Sequence, residues 1–277
     1  MKVKICAAQM NIVSLGMKEN LGKAELLTRR AGEEDCDIIC FPEDFLTGSL
    51  GNKENLKYAQ EIPGDFTEKF CKLAKEYGLY IVMGTMIERD GENYYNTSLL
   101  IDDSGKILGK YRKIRLWFTE KALSLKKGDE TSIFSTRFGK IGITICWDLA
   151  FPEITKEMAL KGARMVFCPS FWRFEDKYGV LKSKKLIEKI PEHDAEAIFV
   201  DACASARAIE NEIVHIFVNG CGDFKTQRLI GHTQINIPFY GTVALAGANE
   251  EKLLIKDVDL NLTELAEKVY GIKKELD

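Results

Sequence analysis

Three short segments each place a reactive or charged side chain at the end of an apolar run: IICFPEDF with Glu43, KYRKIRL with Lys113, and GITICWDLAFPE with Cys146. A free thiol has a pKa of about 8.5, so little of it is thiolate at neutral pH unless a base or a positive charge assists. Glu43 and Lys113 would supply both. Such a set suits attack by sulfur on a carbonyl carbon, with a carboxylate handling the proton and an ammonium facing the developing oxyanion. Strand ends at a sheet rim are where α/β folds place such groups, because the side chains leave the core while their backbone stays rigid.

Each residue has a plainer reading when taken alone. A cysteine within GITIC reads as a small core residue, a glutamate after Phe-Pro as a helix cap, and a lysine in KYRKIR as a solvated strand charge. The ordered set is more specific. Glu43 after Phe-Pro, Lys113 after Tyr-Arg, and Cys146 followed by Trp-Asp and then Phe-Pro-Glu resemble the triad motifs of the nitrilase, or carbon–nitrogen hydrolase, superfamily. The gaps of about 70 and about 33 residues fit as well. Further similarity lies in the opening AAQM, the run ending at Ser170, ARAIEN at 206–211, and the late IP…G…LL…D pattern.

This resemblance implies an α/β fold, a four-layer α-β-β-α sandwich with mixed sheets, that associates through a helical face into homodimers or larger homo-oligomers. It implies hydrolysis of a non-peptide C–N bond through a Cys146 thioester, with no metal or organic cofactor. Glu43 would be the general base, a role that asks for a carboxylate raised by a dry pocket. Lys113, with the Trp147 backbone N–H, would stabilise the oxyanion. Glu120, about seven residues beyond Lys113, would orient the lysine or the substrate. Two positions depart from the pattern: Lys127 replaces a proline before Gly128-Asp129, and Arg115 stands where the family often has histidine. Nitrile-cleaving members usually carry Trp-Glu after the cysteine, so Trp147-Asp148 favours a small linear amide or N-carbamoyl compound over a nitrile. A catalytically silent scaffold is the rival from another class, and the intact triad stands against it.

The elements that must position these residues are legible in outline. Val3 to Met10 reads as a buried strand; Leu21, Ala24, Leu27 and Ala31 recur at helical spacing; Asp37 to Phe41 is a second strand. That β-α-β opening favours parallel pairing. Phe66 to Tyr77 is a helix closed by Gly78. From Leu79 to Ile145 the strands LYIVMGTMIE, YYNTSLLID, KILGKYRKIRL, SIFST and KIGITIC, separated by turn signals, predict an antiparallel meander. Then come a helix near 153–162, the strand RMVFCPS, a long helical stretch near 180–210, the strand IVHIFVNG, two late strands, and an amphipathic tail helix from Leu262.

Around this frame, Phe171, Trp172 and Arg173 follow a strand end and read either as pocket lining or as surface loop. Arg173 has the fork geometry to hold a substrate carboxylate. The segment 172–206 is a candidate cap on the pocket. Glu153 and Glu210 read as ion-pair partners, the latter of Arg207. His193, His215 and His232 share no motif with the triad and read as structural.

Composition bounds the rest. The 277 residues are 45% hydrophobic and 29% charged, with no linker-like stretch, which favours one domain over 1–277. A net charge of -3 with mixed signs argues against nucleic acid. The start MKVKICAAQM reaches charged and polar residues too soon for a signal core, and no apolar run approaches the roughly 20 residues of a membrane span. A cytoplasmic protein acting on a small molecule is therefore expected. Its eight cysteines lack paired metal-ligand spacing and read as reduced thiols.

Overall fold

The structure, a computed structural model, describes residues 1–48, 53–173, 194–224 and 227–275. It opens with β1 (Lys2–Gln9), α1 (Met17–Glu33) and β2 (Ile38–Cys40), and β1 and β2 pair in parallel. The helix buries Asn20, Ala24, Thr28 and Ala31. The two polar members of that stripe bond to backbone carbonyls, Asn20 to Val13 and Leu46 and Thr28 to Ala24. Next, α2 (Asp65–Tyr77) ends as expected at Gly78, whose φ of +64° closes the helix and turns the chain into β3 (Tyr80–Val82), parallel to β2.

Three antiparallel strands follow: β4 (Met86–Asp90), β5 (Asn93–Ile101) and β6 (Ile107–Arg112). A one-turn helix, α3 (Phe118–Ala122), leads to the hairpin β7 (Ile133–Thr136) and β8 (Gly139–Ile143). A short 3-10 turn over Cys146–Ala150 is followed by α4 (Pro152–Leu160), β9 (Ala163–Ser170), α5 (Ala195–Glu210) and β10 (Val214–Asn219). The remaining elements are β11 (Cys221–Phe224), β12 (Gln227–Ile230), β13 (Gln234–Ile237), β14 (Gly241–Leu245), β15 (Lys252–Asp259) and α6 (Asn261–Val269).

The first sheet runs β15-β1-β2-β3-β5, with β4 and β6 also bonded to β5, and the second runs β14-β13-β10-β9-β8-β7. Both are mixed. Strand alternation explains how they stack. Val3, Ile5, Ala7, Ile38 and Cys40 point toward the second sheet and meet Ile141, Ile143, Met165, Phe167 and Ile216. Cys6, Ala8, Ile39 and Phe41 point the other way, onto Ala24, Ala31, Phe70 and Ala74 of the two first helices. On the far face of the second sheet, Cys168 and Phe217 pack against Val200 and Ala204 of α5. The result is the four-layer α-β-β-α sandwich, because a sheet apolar on both faces must be covered on both.

Several sequence expectations are corrected. The single meander over 79–145 does not exist, since β3 to β6 belong to the first sheet and β7 and β8 to the second. Turn residues locate hairpins, but which sheet a hairpin joins depends on distant packing. LYIVMGTMIE is two strands broken at Gly84, whose φ is +53°. Five strands, not two, follow β10 among the described residues. The long helical stretch is described only from Ala195, so its part before 194, His193 and most of the 172–206 segment lie outside the described residues.

Candidate active site

Glu43, Lys113, Glu120 and Cys146 converge on one pocket, although β2, β6, α3 and β8 deliver them separately. Lys113 Nζ lies 2.8 Å from Glu43 Oε1 and 2.9 Å from Glu120 Oε2. Asn96 of β5 joins the same ring: its Nδ2 donates to Glu43 Oε1 and to Glu120 Oε1, both at 2.7 Å. Phe171 N–H donates to Glu43 Oε2 at 2.9 Å, and Trp117 N–H to Glu120 Oε2 at 2.6 Å. Two carboxylates, one ammonium and one amide are thus bonded to each other inside the protein, which holds their positions before any ligand arrives.

Local sequence explains each placement. Lys110 and Arg112 face outward and bind Glu88, whereas Tyr111 and Lys113, one step out of phase, face in. Lys113 stays in register because its N–H bonds Asn96 O, while Gly128 N–H bonds Lys113 O. A Cβ on Gly128 would sit 2.2 Å from Arg112 O, so only glycine allows that approach. Glu43 follows β2 at a turn where Asp44 has a φ of +53°. Cys146 has a φ of +47° at the step from the second sheet into the 3-10 turn. A non-glycine residue in this left-handed region stores strain, and it lifts the sulfur out of the strand line toward the pocket.

Charge in the site follows from burial and neighbours. Burial and the Glu43 carboxylate hold the Cys146 thiol well above its usual range, while Lys113 and the Phe171 N–H pull it down. The sulfur is therefore held as a thiol and not as a thiolate. Burial alone would lower the Lys113 ammonium, but Glu120, Glu43 and Cys146 outweigh it and hold the group well above its usual value. Asp44 also lines the pocket, and burial with Glu43 and Glu120 nearby pushes its carboxyl well up. Cys146 is half-buried and lines the pocket.

A family model, Carbon-nitrogen hydrolase, matches residues 4–268. The chain belongs to the carbon-nitrogen hydrolase family. This hydrolase is 29% identical over 268 residues to the Omega-amidase NIT2 of Xenopus tropicalis, covering 93% of this chain and 90% of that one. It is 30% identical over 264 residues to the Nitrilase of Pyrococcus abyssi, with 94% and 91% covered. Its fold matches that of Saccharomyces cerevisiae Nit3, a nitrilase-superfamily member, with a TM-score of 0.83 at 24% identity over 98% and 95% of the two chains. An amidase from Nesterenkonia sp. AN1, in a form with an acetamide moiety added covalently at its active-site cysteine, matches with a TM-score of 0.78 at 19% identity, covering 99% and 96%.

The pocket of this hydrolase encloses about 510 Å³, part of it open to solvent. Phe171, Trp172 and Arg173, read from the sequence either as pocket lining or as surface loop, border it, as does Trp147. The Trp147 ring lies edge-on to Trp117 at 4.5 Å and near Trp172 at 5.7 Å, and Phe199 of α5 stacks on both Trp147 and Trp172. Trp172 Nε1 donates to Glu196 Oε2 at 2.7 Å. One wall of the pocket is therefore aromatic, while Glu43, Asp44, Lys113, Glu120, Arg173 and Glu196 place charged residues around the rest of it.

Other residues fall where expected. Glu153 pairs with Arg115 and Glu210 with Arg207. His215 is fully buried and His232 bonds Asp201. No described group of His, Cys, Asp and Glu is placed to hold a metal. Sequence reasoning missed Asn96, Asp44 and Trp117. Asn96 sits in a strand run where an asparagine is ordinary. Asp44 was visible only as the neighbour of Glu43.

Proposed function

We propose that this hydrolase cleaves a small linear amide or N-carbamoyl compound through a thioester at Cys146, releasing ammonia or an amine. The observation that carries the reading is the closed ring of Lys113, Glu43, Glu120 and Asn96 in the pocket that Cys146 also lines. Glu43 accepts the Cys146 proton as the sulfur attacks the carbonyl carbon. The carbonyl electrons move to oxygen, where Lys113 and the Trp147 N–H stabilise them. Collapse breaks the C–N bond, and Glu43 returns the proton to the leaving nitrogen. A water, deprotonated by Glu43, then attacks the thioester; the carboxylic acid leaves and the thiol is restored. Glu120 and Asn96 hold Lys113 and Glu43 in place throughout.

Trp147 and Trp172 form the apolar wall for the acyl chain, and Arg173 holds a remote carboxylate where the substrate has one. The omega-amidase relatives support an amide over a nitrile, as does the Trp147-Asp148 pair. A silent scaffold would have no need of a buried ammonium between two carboxylates. The decisive assay is ammonia release from an amide and its matching nitrile. Amide turnover at least tenfold faster supports the reading; preferred turnover of the nitrile refutes it.

Two further readings concern setting. One domain spans 1–277 because both sheets contribute to the pocket, and the eight free cysteines suit a reducing cytoplasm. No described helix is long and apolar enough to cross a membrane. Ile198, Ile209, Tyr240 and Leu245 leave apolar surface exposed on and beside α5, a helical face through which two copies associate. Sedimentation as a homodimer or larger supports this; a monomer unaffected by Ile209→Glu refutes it.

A further inference from the structure

Asp148 is completely buried and does not border the pocket, yet its carboxylate gathers three donors from both sheets. Oδ2 accepts from Tyr111 Oη at 2.7 Å and from Ile145 N–H at 2.9 Å, and Oδ1 accepts from Arg115 N–H at 2.8 Å. Ile145 immediately precedes the nucleophile. Tyr111 and Arg115 each stand two residues from Lys113, one on either side. One carboxylate therefore ties the backbone just before Cys146, at the end of the second sheet, to both flanks of the lysine, at the end of the first.

We infer that Asp148 is a positioning residue that fixes the separation of the Cys146 sulfur from the Lys113 ammonium across the two sheets, without touching substrate. The chemistry of the three donors explains why an ionised carboxylate is required. Two N–H groups and one phenol converge on two oxygens that must act only as acceptors. An asparagine, or a protonated Asp148, would turn one of these acceptors into a donor facing a donor. The clamp would then lose at least one of its three bonds, and the elbow would shift relative to the lysine. Misplacement of about 1 Å at a reacting pair can cost on the order of a hundredfold in rate.

Protonation of Asp148 is therefore a switch on the clamp. Burial raises its carboxyl to about 6, against the pull of Lys113 and the three bonds. The groups that face it from other elements do not titrate with it. Tyr111 is pushed well above its usual range by burial and by Asp148, and burial pushes the Cys168 thiol of β9 up to about 11. Lys113 is held protonated. The ionised carboxylate that holds the clamp is lost progressively as pH falls through about 6.

This inference rests on the hydrolase reading, and its test separates the two. Steady-state rates on an amide substrate are measured from pH 4.5 to 9 for the native enzyme, Asp148→Asn and Tyr111→Phe. In parallel, the rate of Cys146 alkylation by iodoacetamide is followed and folding is checked by circular dichroism. The native enzyme should show an acid limb in kcat near pH 6. Asp148→Asn should lose at least tenfold in kcat, with KM within threefold, and lose that limb. Tyr111→Phe removes one bond to the ionised form, so its limb should move to higher pH in both turnover and alkylation. A native limb left unmoved in Tyr111→Phe overturns the clamp even if Asp148→Asn fails to fold. So does a folded Asp148→Asn that changes only KM. Absence of native turnover would instead refute the hydrolase reading.

Discussion

Lys113 Nζ lies 2.8 Å from Glu43 Oε1, although the two residues are 70 apart in the chain and arrive on different strands. Both side chains are almost completely buried. Desolvating two ions costs several kcal/mol each, and their attraction offsets this only when further hydrogen bonds satisfy them. Here Glu120, Asn96 and the Phe171 N–H supply those bonds. A buried ion pair is a weak route to stability. It is an effective way to hold a base and a cation in fixed geometry beside a thiol.

Asn96→Ala should expose how far that ring depends on an uncharged member. The variant removes one of the two donors that Glu43 and Glu120 share, so Lys113 is left as the only group bonded to both carboxylates among the described residues. We expect a loss of about 1 to 3 kcal/mol in stability, the usual cost of unpairing a buried polar group. A fall in kcat of at least tenfold should accompany it. Chemical denaturation and steady-state kinetics measure both; wild-type kcat would show that Asn96 serves packing only.

His215 gives a pH signature unrelated to catalysis. Burial lowers its imidazole to about 3, with Arg207 adding to the effect, and neither ring nitrogen has a hydrogen-bond partner among the described residues. The unfolded imidazole binds a proton below about pH 6.5. The folded one does so only near 3, so stability falls as pH drops through that window. At pH 5 the penalty is roughly 2 kcal/mol. His215→Leu should unfold at the same or a higher urea concentration than the native protein at pH 8, and should be clearly more stable at pH 5. Equal losses at both values would contradict this.

Gly84 tests backbone approach near Glu43. A Cβ there would lie 2.2 Å from Pro42 O and 2.8 Å from the Phe45 ring, and φ is +53°. Gly84→Ala must therefore push back the turn that carries Glu43. A cost of about 1 to 3 kcal/mol is expected from strain of this kind, with kcat reduced more than KM is raised. Thermal melting with kinetics decides, and an unchanged kcat would mean that the turn relaxes without moving the carboxylate.

Arg173→Leu should separate substrates by charge. For an amide bearing a remote carboxylate, KM should rise at least tenfold, because the charge-assisted bond is lost. For an uncharged amide of the same length, KM should stay within threefold. A parallel change in both would assign Arg173 to the wall and not to recognition.

The legible part of this protein was what local sequence decides. The β-α-β opening, the Gly78 cap and the tail helix follow from periodicity and turn chemistry, and the placing of Glu43 and Cys146 at strand ends follows from the apolar runs before them. Lys113 could have been placed inward by counting from Tyr111, since alternate residues share a face. What was not legible depends on contacts between distant segments. The hairpin β7-β8 joins the second sheet because Ile141 and Ile143 pack there, which no turn signal records. Glu120 was reached through the resemblance and not through periodicity, since it rides on a single turn of helix too short to show a period. Asn96 takes its meaning only from two carboxylates that reach it from elsewhere.

The central claim is that the Cys146 sulfur becomes acylated. Intact mass spectrometry of the enzyme quenched in acid during turnover of a slowly hydrolysed amide tests it, with peptide mapping to locate any adduct. The expected result is one added acyl group on the Cys146 peptide, absent in Cys146→Ala and diminished in Glu43→Gln, which has lost the base that starts the sulfur attack. An adduct on another residue, or undiminished turnover by Cys146→Ala, would contradict it.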